Sequence, residues 1–208
     1  MFHQSGEGRF LYFFGRKHMQ IHIGSGIGFG PTTMAAFDSA LNEVGIANYN
    51  MLRLSSIVPP HSDIIVHDGN IPFAFPGTWG DRMYVVMAEK RIDKHNAEAW
   101  AGVGWVQDKK TGQGMFTEHE GNSEAFVRRE IKQTLEALMK IRNDDETFDW
   151  GPIQMTVVGE TCTNEPVCAM AAAVFQISDW NNKPYIIEST QKPAETKNHF
   201  WNLHRSNQ

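Results

Sequence analysis

The stretch Leu54-Ser55-Ser56-Ile57-Val58-Pro59-Pro60 places a serine pair between an apolar run and a double proline. Both prolines fix their own φ, and Pro59 biases Val58 toward extended backbone, so the peptide just upstream is held in a narrow range of geometries. A peptide held in this way can present the Ser55 carbonyl to the Ser56 hydroxyl. Attack by that hydroxyl converts the amide to an ester, and β-elimination of the ester leaves dehydroalanine at position 56, which hydrolyses to a pyruvoyl group. A pyruvoyl carbonyl condenses with an amine substrate and draws electrons during decarboxylation, the part pyridoxal phosphate plays elsewhere. Taken alone, the same residues also read as a serine-rich strand end followed by a turn.

The chain has 208 residues, enough for one domain with a sizeable core. With 41% hydrophobic and 21% charged residues it has the balance of a globular protein. A net charge of -5 argues against nucleic acid or an anionic membrane as the main partner, and weakly favours a cationic substrate. No apolar run approaches the ~20 residues that span a bilayer, and the Phe10–Phe14 cluster is too short for a signal-peptide core. Cys162 and Cys168 have neither a metal-binding nor a disulfide-framework spacing, which fits a reducing, cytoplasmic compartment. Residues 1–18 read as an N-terminal extension, 19–180 as the domain and 181–208 as a C-terminal tail.

Met19 to Gly24 alternates apolar and polar residues and reads as the first strand, with Gly24, Gly26, Gly28 and Gly30 forming a loop after it. Phe29 stands where a dinucleotide-binding G-x-G-x-x-G would need its last glycine, so nucleotide binding is not expected. Thr32 or Thr33 caps a helix with Met34, Phe37, Leu41 and Val44 on one stripe, ending near Gly45. Asp38 falls at the edge of that stripe and needs a partner, either an internal arginine, a loop amide or a cationic substrate. Asn48-Tyr49-Asn50 leads into Met51–Leu54, a short strand that ends at the serine pair; Asn50 is a turn residue or, if the chain folds back, an amide that polarises the Ser55 carbonyl. Residues 61–81 read as a surface excursion.

Strands are expected over Met83–Ala88 and Ala99–Val106, the latter joined by a polar turn to Gly114–Glu118. Period-two alternation puts Phe116, Glu118 and Glu120 on one face, with Met115 and Thr117 on the other. A Glu118 carboxylate on the face of Phe116 is partly desolvated and suited to donating a proton, although a solvated strand end fits the same residues. A metal site from Glu118, His119 and Glu120 is disfavoured because strand neighbours point to opposite faces, and no metal is expected. Ser123 caps a long amphipathic helix carrying Phe126, Val127, Ile131, Leu135, Leu138 and Met139. Strands follow over Ile153–Val158 and Val167–Ile177, the second buried on both faces.

In order, Gly24-Ser25-Gly26, Gly30-Pro31-Thr32, Ala36-Phe37-Asp38-Ser39-Ala40-Leu41, Gly45-Ile46-Ala47-Asn48-Tyr49-Asn50, Ser55-Ser56-Ile57-Val58-Pro59-Pro60 and Gly114-Met115-Phe116-Thr117-Glu118 resemble the pyruvoyl-dependent arginine decarboxylase family over most of residues 19–178. The resemblance implies an α+β fold, a single-domain four-layer αββα sandwich self-cleaved between Ser55 and Ser56. The β chain would end at Ser55 and the α chain would open with pyruvoyl derived from Ser56. It implies decarboxylation of L-arginine to agmatine, with Asn50 beside the cofactor, Glu118 as general acid and Asp38 facing the substrate guanidinium. It also implies a homo-oligomer, a trimer of cleaved units or a dimer of trimers, with active sites at subunit interfaces. Residues 1–18, the long tail and Val58 in place of a more usual Leu or Met depart from the family pattern. The alternatives are a pyruvoyl decarboxylase of another basic amino acid, or an uncleaved homologue acting as a structural or regulatory subunit.

Overall fold

The computed structural model describes residues 18–142 and 147–187. The expected extension over 1–18 and tail over 181–208 therefore lie largely outside the described residues. In chain order the elements are β1 (Met19–Phe29), α1 (Thr33–Val44), β2 (Asn50–Arg53), β3 (Ile57–Val58), β4 (Ser62–Val66), β5 (Arg82–Ile92), β6 (Glu98–Gln107), β7 (Gly114–Gly121), α2 (Glu124–Arg142), β8 (Gln154–Thr161) and β9 (Val167–Ser178). They make one α+β domain, as the sequence led us to expect. A five-stranded sheet has the order β2-β5-β9-β1-β4, and a four-stranded sheet the order β3-β7-β6-β8. No helix among the described residues is long and apolar enough to cross a membrane.

The glycine-rich segment after Gly24 is not a loop. It continues β1, in antiparallel register with β9 from His22 opposite Val174 to Phe29 opposite Val167. The glycines are there because α1 lies almost on the strand: a Cβ on Gly28 would stand 2.1 Å from Ala40 N, and one on Gly26 2.9 Å from Glu43 Cβ. The same closeness corrects the expected helix stripe. Small residues face the glycines, so Ala36, Ala40 and Val44 are the buried positions and Met34 is 62% exposed. The helix ends are as expected. Thr32 Oγ1 accepts from Ala35 N at 3.1 Å, and Gly45 closes the helix in the left-handed region at φ 86°.

Among the described residues, three apolar clusters hold the domain. One joins α1 to β5 and β9 through Ala36, Ala40, Met83, Val85, Met170 and Val174. A second joins α2 to β6, β7 and β8 through Val106, Met115, Val127, Ile131, Leu135 and Met155. The third draws on both sheets, with Ile21, Val86 and Ala171 from one and Ala101, Val103 and Phe116 from the other. β9 contributes alternately, Ala169, Ala171 and Ala173 to the inter-sheet cluster and Cys168, Met170 and Ala172 to the α1 cluster. That alternation is why the run reads as buried on both faces. Two expectations fail in detail. Phe126 is 40% exposed beneath the Arg129 guanidinium, and the 61–81 excursion buries Ile71, Phe73 and Phe75 against α1's cluster.

His22, fully buried in β1, is flanked edge-on by Phe73 and Phe75, and its Nδ1 lies 3.1 Å from His67 Nε2. Burial first, then the neighbouring His67, pushes it down from 6.5 to about 4. Below pH 6.5 the unfolded chain therefore takes up a proton that the folded chain refuses. Stability is complete above that pH and falls as pH drops toward 4, by up to about 3 kcal/mol. Urea midpoints at pH 7 and pH 4.5 should show this loss in the native protein and a smaller one in His22→Phe; equal losses would remove His22 from the account.

Candidate active site

β2 runs parallel to β5, with Arg53 opposite Val85, and Leu54 N donates to Val85 O at 2.9 Å. Two residues later the chain belongs to the other sheet. Phe116 N donates to Ser56 O at 2.7 Å, and Ile57 and Val58 pair with Met115 and Gly114 of β7. The Ser55–Ser56 peptide is thus the crossing between the two sheets. Ser56 makes that crossing at φ 67°, in the left-handed region, which is costly for a residue with a Cβ. The chain returns to the five-stranded sheet after Pro60, through His61 at φ 61° and the bond from Ser62 Oγ to Pro59 O at 2.8 Å.

The Ser56 hydroxyl donates to Glu118 Oε1 at 2.7 Å. Glu118 is half-buried on β7, opposite Val103 of β6. The alternation read from the sequence holds. Phe116 lies in the inter-sheet cluster and Glu120 reaches Lys90 of β5 at 3.3 Å. On the other face His119 Nε2 lies 2.9 Å from Thr134 Oγ1 of α2. His119 is thereby turned away from its two acidic neighbours, and no group of residues able to hold a metal ion occurs among the described residues.

Beside the crossing is a cavity of about 300 Å³ lined by Met19, Leu54, Ser55, Ile57, Tyr84 and Phe175, among others. Its wall is mainly apolar, which suits the exclusion of water from a reacting carboxylate. Tyr84 and Phe175 come from β5 and β9, and nothing in the sequence near the serine pair announces them.

Asn50 and Asp38 lie elsewhere. Asn50 sits at the far end of β2, and an extended chain of that length places it about 16 Å from Ser55. Its backbone N donates to Asp81 O at 2.8 Å and its Nδ2 to Gly80 O at 2.6 Å. Asp38 is exposed on α1, and among the described residues its carboxylate forms no ion pair. One chain therefore brings together Ser55, Ser56 and Glu118, and leaves Asp38 and Asn50 at separate positions on its surface.

The sequence profile described as pyruvoyl-dependent arginine decarboxylase matches residues 20–180. The chain belongs to that family. A Halobacterium salinarum protein named pyruvoyl-dependent arginine decarboxylase is 29% identical over 164 residues, covering 77% of this chain and 96% of that protein. Pyruvoyl-dependent arginine decarboxylase 2 of Archaeoglobus fulgidus is 27% identical over 160 residues, covering 76% and 96%. A Picrophilus torridus protein named pyruvoyl-dependent arginine decarboxylase is 31% identical over 100 residues, an alignment covering 48% of this chain and 53% of its relative.

Enzymes of the pyruvoyl-dependent arginine decarboxylase family carry a covalently bound pyruvoyl group. The crossing fits such a group: a serine hydroxyl already hydrogen-bonded to a carboxylate follows directly on a second serine, next to an apolar cavity. The family match stops at residue 180, so the described segment 181–187 lies beyond it.

Proposed function

We propose that this chain cleaves itself between Ser55 and Ser56 and then decarboxylates L-arginine to agmatine and carbon dioxide. The observation that carries the reading is the 2.7 Å bond from the Ser56 hydroxyl to Glu118, made at a left-handed residue between two sheets. A carboxylate in that position orients the hydroxyl as the oxygen attacks, a task an amide oxygen could also perform. Ser56 Oγ bonds to the Ser55 carbonyl carbon, the proton passes to the Ser56 nitrogen, and the C–N bond breaks to leave an ester. Loss of the Cα hydrogen then expels Ser55 as a carboxylate, and water converts the dehydroalanine at position 56 to pyruvoyl with release of ammonia.

The pyruvoyl group supplies the electron sink for loss of carbon dioxide. Glu118, within reach of position 56, holds the proton that returns to the substrate carbon. The apolar wall formed by Leu54, Tyr84 and Phe175 keeps water from the departing carboxylate. Asp38 offers the planar guanidinium two acceptor oxygens, a match that a lysine ammonium would use less fully. Asn50 and Asp38 reach the site from a neighbouring subunit, which is why the reading includes a trimer of cleaved units or a dimer of trimers. The succession of α1, five-stranded sheet, four-stranded sheet and α2 around the three apolar clusters supports the four-layer αββα sandwich, with a β chain ending at Ser55 and an α chain from position 56.

Denaturing mass spectrometry should find fragments 1–55 and 56–208, and the protein should release carbon dioxide from arginine in preference to lysine and ornithine. An intact chain sinks the cleavage, and a preference for lysine or ornithine sinks the substrate. Asp38→Asn should raise KM for arginine about 10- to 100-fold, the cost of one charge-assisted pair, with a smaller change in kcat. An unchanged KM would take Asp38 out of guanidinium recognition.

A further inference from the structure

Asn50 is fixed by a turn, and that turn is fixed in turn by the segment at the end of the family match and just beyond it. The backbone of Thr78–Asp81 supplies both acceptors that hold Asn50, Asp81 O for its N–H and Gly80 O for its side-chain amide. Gly80 occupies the left-handed region at φ 87°, and its own N–H donates to Asn48 O at 2.7 Å, so the two stretches brace each other. Two side chains from the C-terminal segment lock this turn. Trp180 Nε1 donates to Gly80 O at 3.1 Å, on the same carbonyl oxygen that receives Asn50 Nδ2. Tyr185 donates its hydroxyl to Asp81 Oδ2 at 3.2 Å, the oxygen that also accepts from Thr78 N at 2.7 Å.

The segment is itself built to deliver these groups. Asp179 Oδ1 accepts from Asn181 N and Lys183 N, each at 2.9 Å, and turns the chain back so that Tyr185 N donates to Ile177 O at 2.8 Å. The Arg82 guanidinium lies over the Trp180 ring, 5.1 Å from its centroid, and donates to the Asp179 carbonyl. Trp180 is 66% exposed, so it contributes little to the core, and the indole N–H and the ring under Arg82 are what the fold uses of it.

We infer that Trp180 and Tyr185 are positioning residues for Asn50. This rests on the reading of Asn50 as a site residue. A primary amide has two N–H donors and one acceptor oxygen. Committing one donor to Gly80 O fixes the amide plane and leaves the second N–H and the oxygen for the substrate or the residue at position 56. Trp180 sets the position of that carbonyl, and Tyr185, through Asp81, sets the turn that carries it.

The test uses full-length Trp180→Phe and Tyr185→Phe, each keeping a ring and removing one donor. Hydrogen exchange followed by mass spectrometry reads the lock without reference to activity. Exchange in peptides carrying Asn48–Asn50 and Thr78–Asp81 should accelerate about tenfold, while peptides from α2 and β7 keep their native rates and cleavage remains complete. Unaltered exchange at the turn, or acceleration spread over the whole chain, overturns the inference. In kinetics, each variant should lower kcat/KM about 5- to 20-fold alone and have no further effect in an Asn50→Ala background. Additive losses in that double variant overturn the inference while leaving Asn50 its role. Full activity in Asn50→Ala alone overturns the reading of Asn50 and the inference with it.

Discussion

Ser56→Ala should yield an intact chain with no decarboxylase activity. The expected loss is complete, because the substitution removes at once the nucleophile of the cleavage and the precursor of the electron sink. The fold should survive. Ile57 and Val58 keep their pairing with Met115 and Gly114, and the backbone bond from Phe116 N to Ser56 O does not involve the side chain. The variant gives up one hydrogen bond to a half-buried carboxylate, a cost of about 1–3 kcal/mol. Denaturing mass spectrometry and carbon dioxide release on the same preparation make the check. Ser55→Ala is the control, since the proposed attack uses only the backbone carbonyl at that position. Fragments appearing in Ser56→Ala would move the scissile bond elsewhere.

Glu118→Gln should reach the mature, two-fragment form and then turn over arginine about 10²- to 10⁴-fold more slowly, the usual worth of a positioned proton donor. The side-chain amide retains an oxygen that can accept from the Ser56 hydroxyl, so the approach to the Ser55 carbonyl persists. It has no proton of suitable acidity to return to the substrate carbon. That loss corresponds to about 3–5 kcal/mol of transition-state stabilisation, and it should fall on kcat more than on KM. A native kcat in fully cleaved Glu118→Gln would remove Glu118 from the mechanism.

Much of the site was legible because its residues are close in sequence or share a strand face. Ser55, Ser56 and the two prolines form one uninterrupted stretch, and period-two alternation from Phe116 is enough to aim Glu118 at the inter-sheet side. The run from Val167 to Ile177 could be read as doubly buried because alanine and valine recur on both faces. Gly24 to Gly30 misled because alternating glycines that admit a helix look, one residue at a time, like a loop. The helix stripe held at Val44 and, half-buried, at Phe37 and Leu41, and failed at Met34 because the tightest face of α1 carries alanines rather than its largest apolar residues.

The tertiary part of the site left no local trace. Tyr84 and Phe175 line the cavity only because β5 and β9 pair in the sheet that the chain leaves at Ser55. The left-handed torsion of Ser56 follows from crossing between sheets over a single peptide, a requirement invisible without both sheets. Trp180 and Tyr185 stand in a stretch without periodicity, and only the return of the chain after Asp179 gives them partners.

If the chain is cleaved as proposed, the crossing at Ser55–Ser56 would also decide what kind of durability the mature protein has. The fragment ending at Ser55 would own β1, α1 and β2, and β1 lies between β9 and β4 in the five-stranded sheet. After cleavage no covalent bond retains it, so regaining the fold from the denatured state becomes a meeting of two molecules rather than the collapse of one. The chemistry cannot run backwards either, because the residue at position 56 would have lost both its nitrogen and its hydroxyl. A mature molecule that came apart would be spent, and its working life would be governed by how slowly it opens rather than by how readily it refolds.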